Sequence, residues 1–488
     1  MNYKYSFLPS WSYGQGPFQW RFSRMTYFAT VIFVTLLVFS LAYVYAEEPP
    51  FWPSAQSPPH SSNDHKPPGA PHDDDRPGPD LEYGDGDIPL VKPKDLRVVG
   101  VIFYGRRDRS SILECYTRQN LVSNGGWLDQ VIWAQNTDNE DDLAWIDTVA
   151  AASDGGYKLV RIENKGYGNV YKAAFTERNT IYVKIDDDVV FIEPQAIAKS
   201  VMTLISNPQA LMISANVVNS PALGWWHYHS DAAHSFKPEL IPKNPELATR
   251  GNGMWKTSDL PFWDGDASLD FKDFDNFSNF FHVTEDEDIP KHRWLPTSKE
   301  SDIYSSSIAA TDAEGGPHLT KWQIGAQNHY SFFTNLENGE LGKYGISKDY
   351  GKGTTWSMRN HRLSINFIVM HGADVLDYMD VITAHPHGDD EHQLTVEMPI
   401  TLNRPVLVES HSIVSHFSYG PQRWLHKTDI LERYFNYANE NVCPGKSLVD
   451  PLSPNMKVPS SLSSASKYPS SPSTSRVRRG YRRTNDIQ

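Results

Sequence analysis

The sequence predicts an α/β fold with a mostly parallel central sheet, preceded by one transmembrane helix and a disordered stem and followed by a disordered tail. Three observations predict it. Short apolar strands alternate with helical stretches between residues 94 and 443, an uncharged apolar run lies near the N-terminus, and Pro- or Ser-rich segments without apolar periodicity bound the folded part.

Residues 1–24 contain Lys4, Arg21 and Arg24 and no acidic residue, while residues 25–46 carry no charge at all. Those 22 positions, at about 1.5 Å each, cross a hydrocarbon core of about 30 Å. Glu47 and Glu48 follow at once, so the charge asymmetry leaves the N-terminus cytoplasmic and everything beyond Ala46 on the other side. A cleaved signal peptide ending at Ala46 is the competing reading, but the apolar run exceeds the usual length of its hydrophobic region. Residues 47–93 hold 12 prolines and read as an extended stem. Residues 444–488 are Ser- and Pro-rich and end in a basic stretch around Arg476, Arg478 and Arg479, read either as a dibasic processing site or as a solvated basic end.

The formal net charge of -14 over 488 residues argues against nucleic acid as a partner, because a phosphate backbone is held by clustered Lys and Arg. Only two cysteines are present, Cys115 and Cys443. In an oxidising compartment they would bridge the two ends of the folded part; two buried free thiols are the alternative.

Within residues 94–443 the elements follow in order. Leu96 to Tyr104 is a buried-strand run, and Ser110 to Asn120 has helical spacing with Ser110 or Ser111 as N-cap. Then come a strand at 128–136, a helix at 141–152, a strand at 157–163, a helix at 169–178 and a strand at 180–185. Such alternation predicts a sheet covered on both faces, with ligands bound beyond the carboxyl ends of its strands.

The sharpest feature is Asp186-Asp187-Asp188, set directly after an apolar strand and directly before the apolar Val189 to Ile192. Three carboxylates in that context resist burial unless a cation neutralises them, and Mg²⁺ or Mn²⁺ suits oxygen ligands. Strand geometry sends Asp186 and Asp188 to one side and Asp187 elsewhere. The same tripeptide at Asp73-Asp74-Asp75 has no strand beside it and reads as solvated stem, so context carries the signal. The bland alternative is an acidic cap at a strand end.

The stretches GVIFYGRRDRSSILECYTRQN, NKGYGNVYKAAF and YVKIDDDVVFI resemble the nucleotide-sugar half of GT-A fold glycosyltransferases, closest to a group of fungal type II membrane-anchored ones. The resemblance implies a metal-dependent glycosyltransferase, lumenal in the Golgi or endoplasmic reticulum, moving a sugar from a nucleotide-diphosphate sugar to a hydroxyl of a glycan, protein or lipid. It implies that Asp186 and Asp188 hold the ion, with His416 as a late third ligand. Tyr104, Gly105, Arg106 and Arg107 after the first strand, with Asn164, Lys165, Gly166, Asn169 and Lys172, would meet the donor; Arg suits bidentate phosphate contact and glycines at a helix start admit an anion. Asp389, Asp390 and Glu391 are the candidates for acceptor binding or the general base, with Asp390 or Glu391 preferred. Trp225 to His229 form an aromatic stretch suited to stacking on sugar rings or to core packing. A zinc site from His385, His387 and His392 matches no standard spacing. Asn276 begins a glycosylation sequon. Two other readings stand beside this one, a metal-dependent hydrolase or phosphodiesterase and an inactive membrane-tethered scaffold.

Overall fold

Val98–Tyr104 (β1) is buried at every position, as a Val- and Ile-rich run is when both faces of its sheet are covered. The computed structural model describes residues 90–239, 246–265, 291–305, 321–346, 354–384 and 389–443. The readings of the cytoplasmic tail, membrane helix, nearly all of the stem, Asn276, His385, His387 and the C-terminal tail lie outside the described residues. No helix among those described is long and apolar enough to cross a membrane.

After β1 come α1 (Arg107–Gln119), β2 (Gln130–Gln135), α2 (Glu140–Ala151), β3 (Tyr157–Arg161), α3 (Tyr167–Ala174), β4 (Ile181–Asp186), β5 (Val189–Ile192), α4 (Ala196–Ser206) and β6 (Met212–Val218). The chain continues through α5 (Pro221–His229), β7 (Phe236–Pro238), β8 (Trp294–Pro296), α6 (Trp322–Glu337), β9 (Thr355–Ser357) and β10 (Phe367–His371). It ends with α7 (Gly372–Asp377), α8 (Met379–Ile382), α9 (Asp390–His392), α10 (Met398–Leu402), β11 (Val406–His416) and α11 (Ile430–Tyr437).

Nine strands form one sheet in the order β3-β2-β1-β4-β10-β6-β11-β5, with β9 on β11. β3, β2, β1 and β4 pair in parallel, as do β6 and β11, whereas β10 runs antiparallel between β4 and β6, and β5 and β9 run antiparallel on β11. Six strands therefore point one way and β5, β9 and β10 the other. A register shift between Glu409 and Ile413 bends β11. That bend curls the sheet, so β5 begins at Val189, just beyond the end of β4, although several strands separate them in the sheet order. Phe417 N–H donates to the Asp188 carbonyl at 2.9 Å and fixes the crossing.

The helix after β1 starts earlier than the serines suggest. α1 begins at Arg107, and Arg106 is its N-cap residue without a side-chain cap. Ser110 is instead buried, with its hydroxyl donating to the Asp187 carbonyl at 3.3 Å, a tertiary bond that replaces the local cap. α6 is buried along most of its length, and its Phe332 packs on Phe191 of β5, the ring that Tyr116 of α1 also meets. Asp429 and Arg433 form a fully buried pair at 2.9 Å, and the Tyr330 hydroxyl and Ala248 N–H also bond to Asp429. This network ties the segment after residue 245 to the C-terminal helix.

Cys115 of α1 and Cys443 are joined by a disulfide spanning 328 positions, which decides between the two readings of the cysteines. A closure of that length stabilises by roughly 3–5 kcal/mol, chiefly by restricting the unfolded chain. Cys443→Ser is expected to lower the denaturation midpoint to that of the reduced wild type, with no further loss on adding reductant. Equal midpoints for the variant and the oxidised wild type would show that the bond does not form.

Candidate functional site

The parallel direction of β1, β4, β6 and β11 brings their carboxyl ends to one edge, and the antiparallel β10 and β5 begin there. Five pieces of chain meet at that edge: the loop after β1, the start of α1, Asp186-Asp187-Asp188, the residues before β10, and the end of β11. One ligand atom each from Asp186, Asp188 and His416 lie within 4.8 Å of one another. His416 Nε2 stands 3.0 Å from Asp188 Oδ1, with both side chains almost fully buried. Neighbouring ligands of a small octahedral ion with bonds of about 2.1 Å sit roughly 3 Å apart, and two carboxylates with an imidazole are a donor set for Mn²⁺ or Mg²⁺. His416 Nδ1 is buried and finds no partner among the described residues. The ring packs instead on Tyr419, with centroids 4.5 Å apart.

The triplet does not depend on a metal alone for neutralisation, which corrects the premise drawn from the sequence. Lys184, two positions before Asp186 and therefore on the same strand face, reaches Asp186 Oδ1 at 2.5 Å and the Ile365 carbonyl at 2.7 Å. Arg106 forks onto Asp187 and touches Asp188 at 2.9 Å, and Arg109 approaches Asp188 at 3.3 Å. Three side-chain cations thus meet three carboxylates. Burial raises the Asp188 pKa, but His416, Arg106 and Arg109 together hold it far below the usual carboxylate range. Burial likewise disfavours the charged form of Arg106, and the two aspartates more than offset this and raise its pKa. Asp187 turns away from the ion group and accepts the Gly105 N–H at 2.9 Å, locking the loop after β1 onto the triplet. A second shell continues through Asn366, which donates to Asp186 Oδ2 at 3.0 Å. Its Oδ1 lies 3.1 Å from the Tyr419 hydroxyl.

Of the acidic trio near the start of α9, Asp390 is set apart. Asp389 and Glu391 are clamped by Arg362, at 2.8 and 3.0 Å to Asp389 and 2.6 Å to Glu391, and Asp389 also accepts the His392 N–H at 3.1 Å. Both are already paired. Asp390 is 8% exposed and lies beside Tyr171, Lys184 and Asp186. Burial pushes its carboxyl up to about 6, Lys184 pulling it down and Asp186 pushing it up. His392 pairs with Glu397 at 3.1 Å.

Other predicted residues are placed differently. The Tyr104 side chain is fully buried, packed near Trp133 and Trp145 with its hydroxyl donating to the Asp142 carbonyl at 2.7 Å, so it cannot meet a ligand. Arg107 turns to the start of α2, its backbone N–H donating to Asp142 at 3.3 Å and its guanidinium 3.4 Å from Asp141. Lys165 bonds the Ile162 carbonyl and lies 3.2 Å from Asp138, while the Asn169 side chain donates to the Asn164 carbonyl at 2.8 Å. These contacts shape the turn before α3 and commit its polar groups to the protein itself. Gly166 sits at φ 143, a conformation suited to glycine, and its N–H donates to Asn136 Oδ1 at 3.0 Å. Lys172 is exposed, turned about 100° round α3 from the buried Tyr171. Tyr167, half exposed and stacked against Phe103, is the residue of this turn that faces the acidic group. Burial, with Asp186 adding to it, raises its hydroxyl to about 12. Lys184, Arg109, Asn366, Arg362 and Tyr167 were not singled out from the sequence. Strand alternation from Asp186 flags Lys184, and the helical i, i+3 relation to Arg106 flags Arg109.

No family model matches the chain, and no curated protein does. Similar solved structures include glucosyl-3-phosphoglycerate synthase from Mycobacterium tuberculosis with Mn²⁺, uridine diphosphate and phosphoglyceric acid, at 17% identity and a TM-score of 0.21, over 25% of this chain and 43% of that one. Mannosyl-3-phosphoglycerate synthase from Rubrobacter xylanophilus is 19% identical at a TM-score of 0.21, over 25% and 40% of the two chains. The 4-diphosphocytidyl-2C-methyl-D-erythritol synthase of Anaerococcus prevotii is 11% identical at a TM-score of 0.21, over 48% and 98%. The chain spans less than half the length of the first two. At these scores the likenesses carry no weight for its chemistry, which rests on its own residues.

Proposed function

We propose that the chain is a metal-dependent glycosyltransferase that moves a sugar from a nucleotide-diphosphate sugar to a hydroxyl on a glycan, protein or lipid. The carrying observation is the convergence of Asp186, Asp188 and His416 within 4.8 Å at the carboxyl edge of the sheet, with Arg106 and Arg109 beside them. In this reading Asp186, Asp188 and His416 hold Mn²⁺ or Mg²⁺, which when bound offsets charge on a leaving diphosphate. Arg106 is a fork that fits phosphate oxygens as well as carboxylates, and its half-exposed side chain stands at the solvent side of the group. Arg109 and Lys184 hold the carboxylates in place. Gly105, anchored by Asp187, sets the backbone of the loop that receives the donor, and the Tyr167 ring offers a face to it. Asp390 is the carboxylate for accepting the acceptor hydroxyl's proton, since Asp389 and Glu391 are occupied by Arg362. The apolar run at residues 25–46 is proposed as the anchor that leaves this domain lumenal, in the Golgi or endoplasmic reticulum.

A hydrolase working with two ions would need a second donor group. The described residues contain one group of three, and release of a nucleoside diphosphate only when an acceptor is present separates the two readings.

Because Lys184, Arg106 and Arg109 already balance the triplet, an added divalent ion leaves excess positive charge that a diphosphate offsets. The full chain is therefore expected to bind Mn²⁺ weakly alone and at least about tenfold more tightly with the right nucleoside diphosphate, a coupling of about 1.4 kcal/mol. Asp188→Ala and His416→Ala should abolish the coupling in titration calorimetry. Nucleotide binding that ignores Mn²⁺, or no nucleotide binding at all, would favour the hydrolase or scaffold readings.

The Asp390 carboxyl supplies a pH test. In the folded protein it keeps its proton up to about pH 6, whereas an unfolded aspartate releases it near about 3.9. Folding takes up a proton between these values, so this group's contribution to stability falls as pH rises through that window and is flat above it. Asp390→Asn in chelator should remove that slope and gain roughly 2–3 kcal/mol at pH 7 over wild type. An unchanged slope would mean that Asp390 is not held protonated by burial.

A further inference from the structure

A cavity of 920 Å³ lies between the end of α5, β7, the chain after β8 and α6. It shares no residue with the Asp186, Asp188 and His416 group, and its size is within the roughly 300–1,000 Å³ of small-ligand pockets.

Its lining combines ring faces with hydroxyl-bonding groups. Tyr304 is 78% exposed, and Tyr228 and His229 stand at the end of α5. The His229 ring is stacked on Trp225 with centroids 4.1 Å apart, and its Nδ1 lies 2.7 Å from the Trp225 carbonyl, so its plane is fixed before any ligand arrives. Tyr228 meets His229 edge-on at 4.9 Å. Ser235 is 8% exposed, and its buried hydroxyl has no hydrogen-bond partner among the described residues. Asp231 and Lys299 bring one charge of each sign to the lining.

This combination selects among ligand classes. A nucleotide or polyanion would want clustered arginines or several backbone N–H groups, and the described residues of the lining include no arginine. A purely apolar ligand would strand the serine, threonine and charged groups. A neutral sugar presents apolar faces of C–H groups to aromatic rings and a rim of hydroxyls to polar side chains, and it meets both demands.

We infer that this cavity is a binding site for a neutral saccharide, separate from the metal group, with Tyr228 and Tyr304 as ring platforms and Asp231 and Lys299 as hydroxyl partners. Such a site holds a glycan without the ion, so it stands whether or not the proposed transfer reaction does. If that reaction is also correct, the cavity keeps a glycan chain on the protein between transfers.

The test uses the full chain in a detergent without a sugar headgroup, with chelator present, and saturation-transfer NMR against mannobiose, cellobiose, laminaribiose and chitobiose. At least one is expected to bind. Tyr304→Ala, at a position too exposed to threaten folding, and Tyr228→Ala should each weaken it about three- to tenfold, while Tyr304→Phe and Asp188→Ala leave it intact. Binding by none of the four, binding unchanged in both tyrosine-to-alanine variants, or binding lost in Asp188→Ala would overturn the assignment.

Discussion

The structure depends on how a buried acidic triplet is neutralised. Asp187 and Asp188 are nearly inaccessible, and so is Lys184. Isolated charges in such positions would cost many kcal/mol, and removing one partner of a buried pair typically costs about 3–5 kcal/mol because the other charge stays buried. The protein meets this constraint with cations from two elements, Lys184 from β4 itself and Arg106 with Arg109 from the start of α1, while His416 arrives from the far end of β11. Each contact fixes where an element ends. β4 stops where its carboxylates meet the arginines, α1 begins where Arg106 is drawn onto the triplet, and β11 reaches its last residue at Asp188.

Much of this was legible because a strand covered on both faces leaves a continuous apolar run, and Val98–Tyr104, Gln130–Gln135 and Ile181–Asp186 each carry one. The acidic triplet was legible for the same reason, since its strand context separates it from the copy at Asp73. The sheet's second half was not. β10 inserts antiparallel between β4 and β6 from well over a hundred residues away, and no local periodicity encodes a non-local register. Asn366 therefore could not be tied to Asp186 in advance, although the two are bonded.

The choice among Asp389, Asp390 and Glu391 shows the same limit at single-residue scale. The sequence marks an acidic cluster ahead of a helix and prefers Asp390 or Glu391 within it, but it does not separate those two. The ranking comes from Arg362, 27 residues from Asp389 and 29 from Glu391, which takes those two and leaves Asp390 buried beside Tyr171, Lys184 and Asp186. Tyr104, taken by resemblance into the loop after the first strand, is instead the last residue of β1, and its ring turns into the packing of Trp133 and Trp145. The serines of α1 were misread through a local rule. A hydroxyl that caps a helix in isolation is worth more here as a donor to a buried carbonyl.

The three cations are not equivalent, and their differences carry the functional argument further than their number. Lys184 is bonded at once to Asp186 and to the Ile365 carbonyl and is almost wholly buried, so displacing it would orphan both partners. Arg109 is mostly buried, with its guanidinium over the Phe417 ring at 4.7 Å. Arg106 has a side chain 47% exposed and reaches the triplet from the solvent side. It is the member whose fork can add a phosphate oxygen on its solvent side while it keeps its bonds to the buried carboxylates. In the proposed reaction a divalent ion at Asp186, Asp188 and His416 would repel the nearest guanidinium, and a diphosphate arriving with that ion would attract it. The ion and the diphosphate would thus favour one another through this one half-exposed side chain, while Lys184 and Arg109 keep the carboxylates in register.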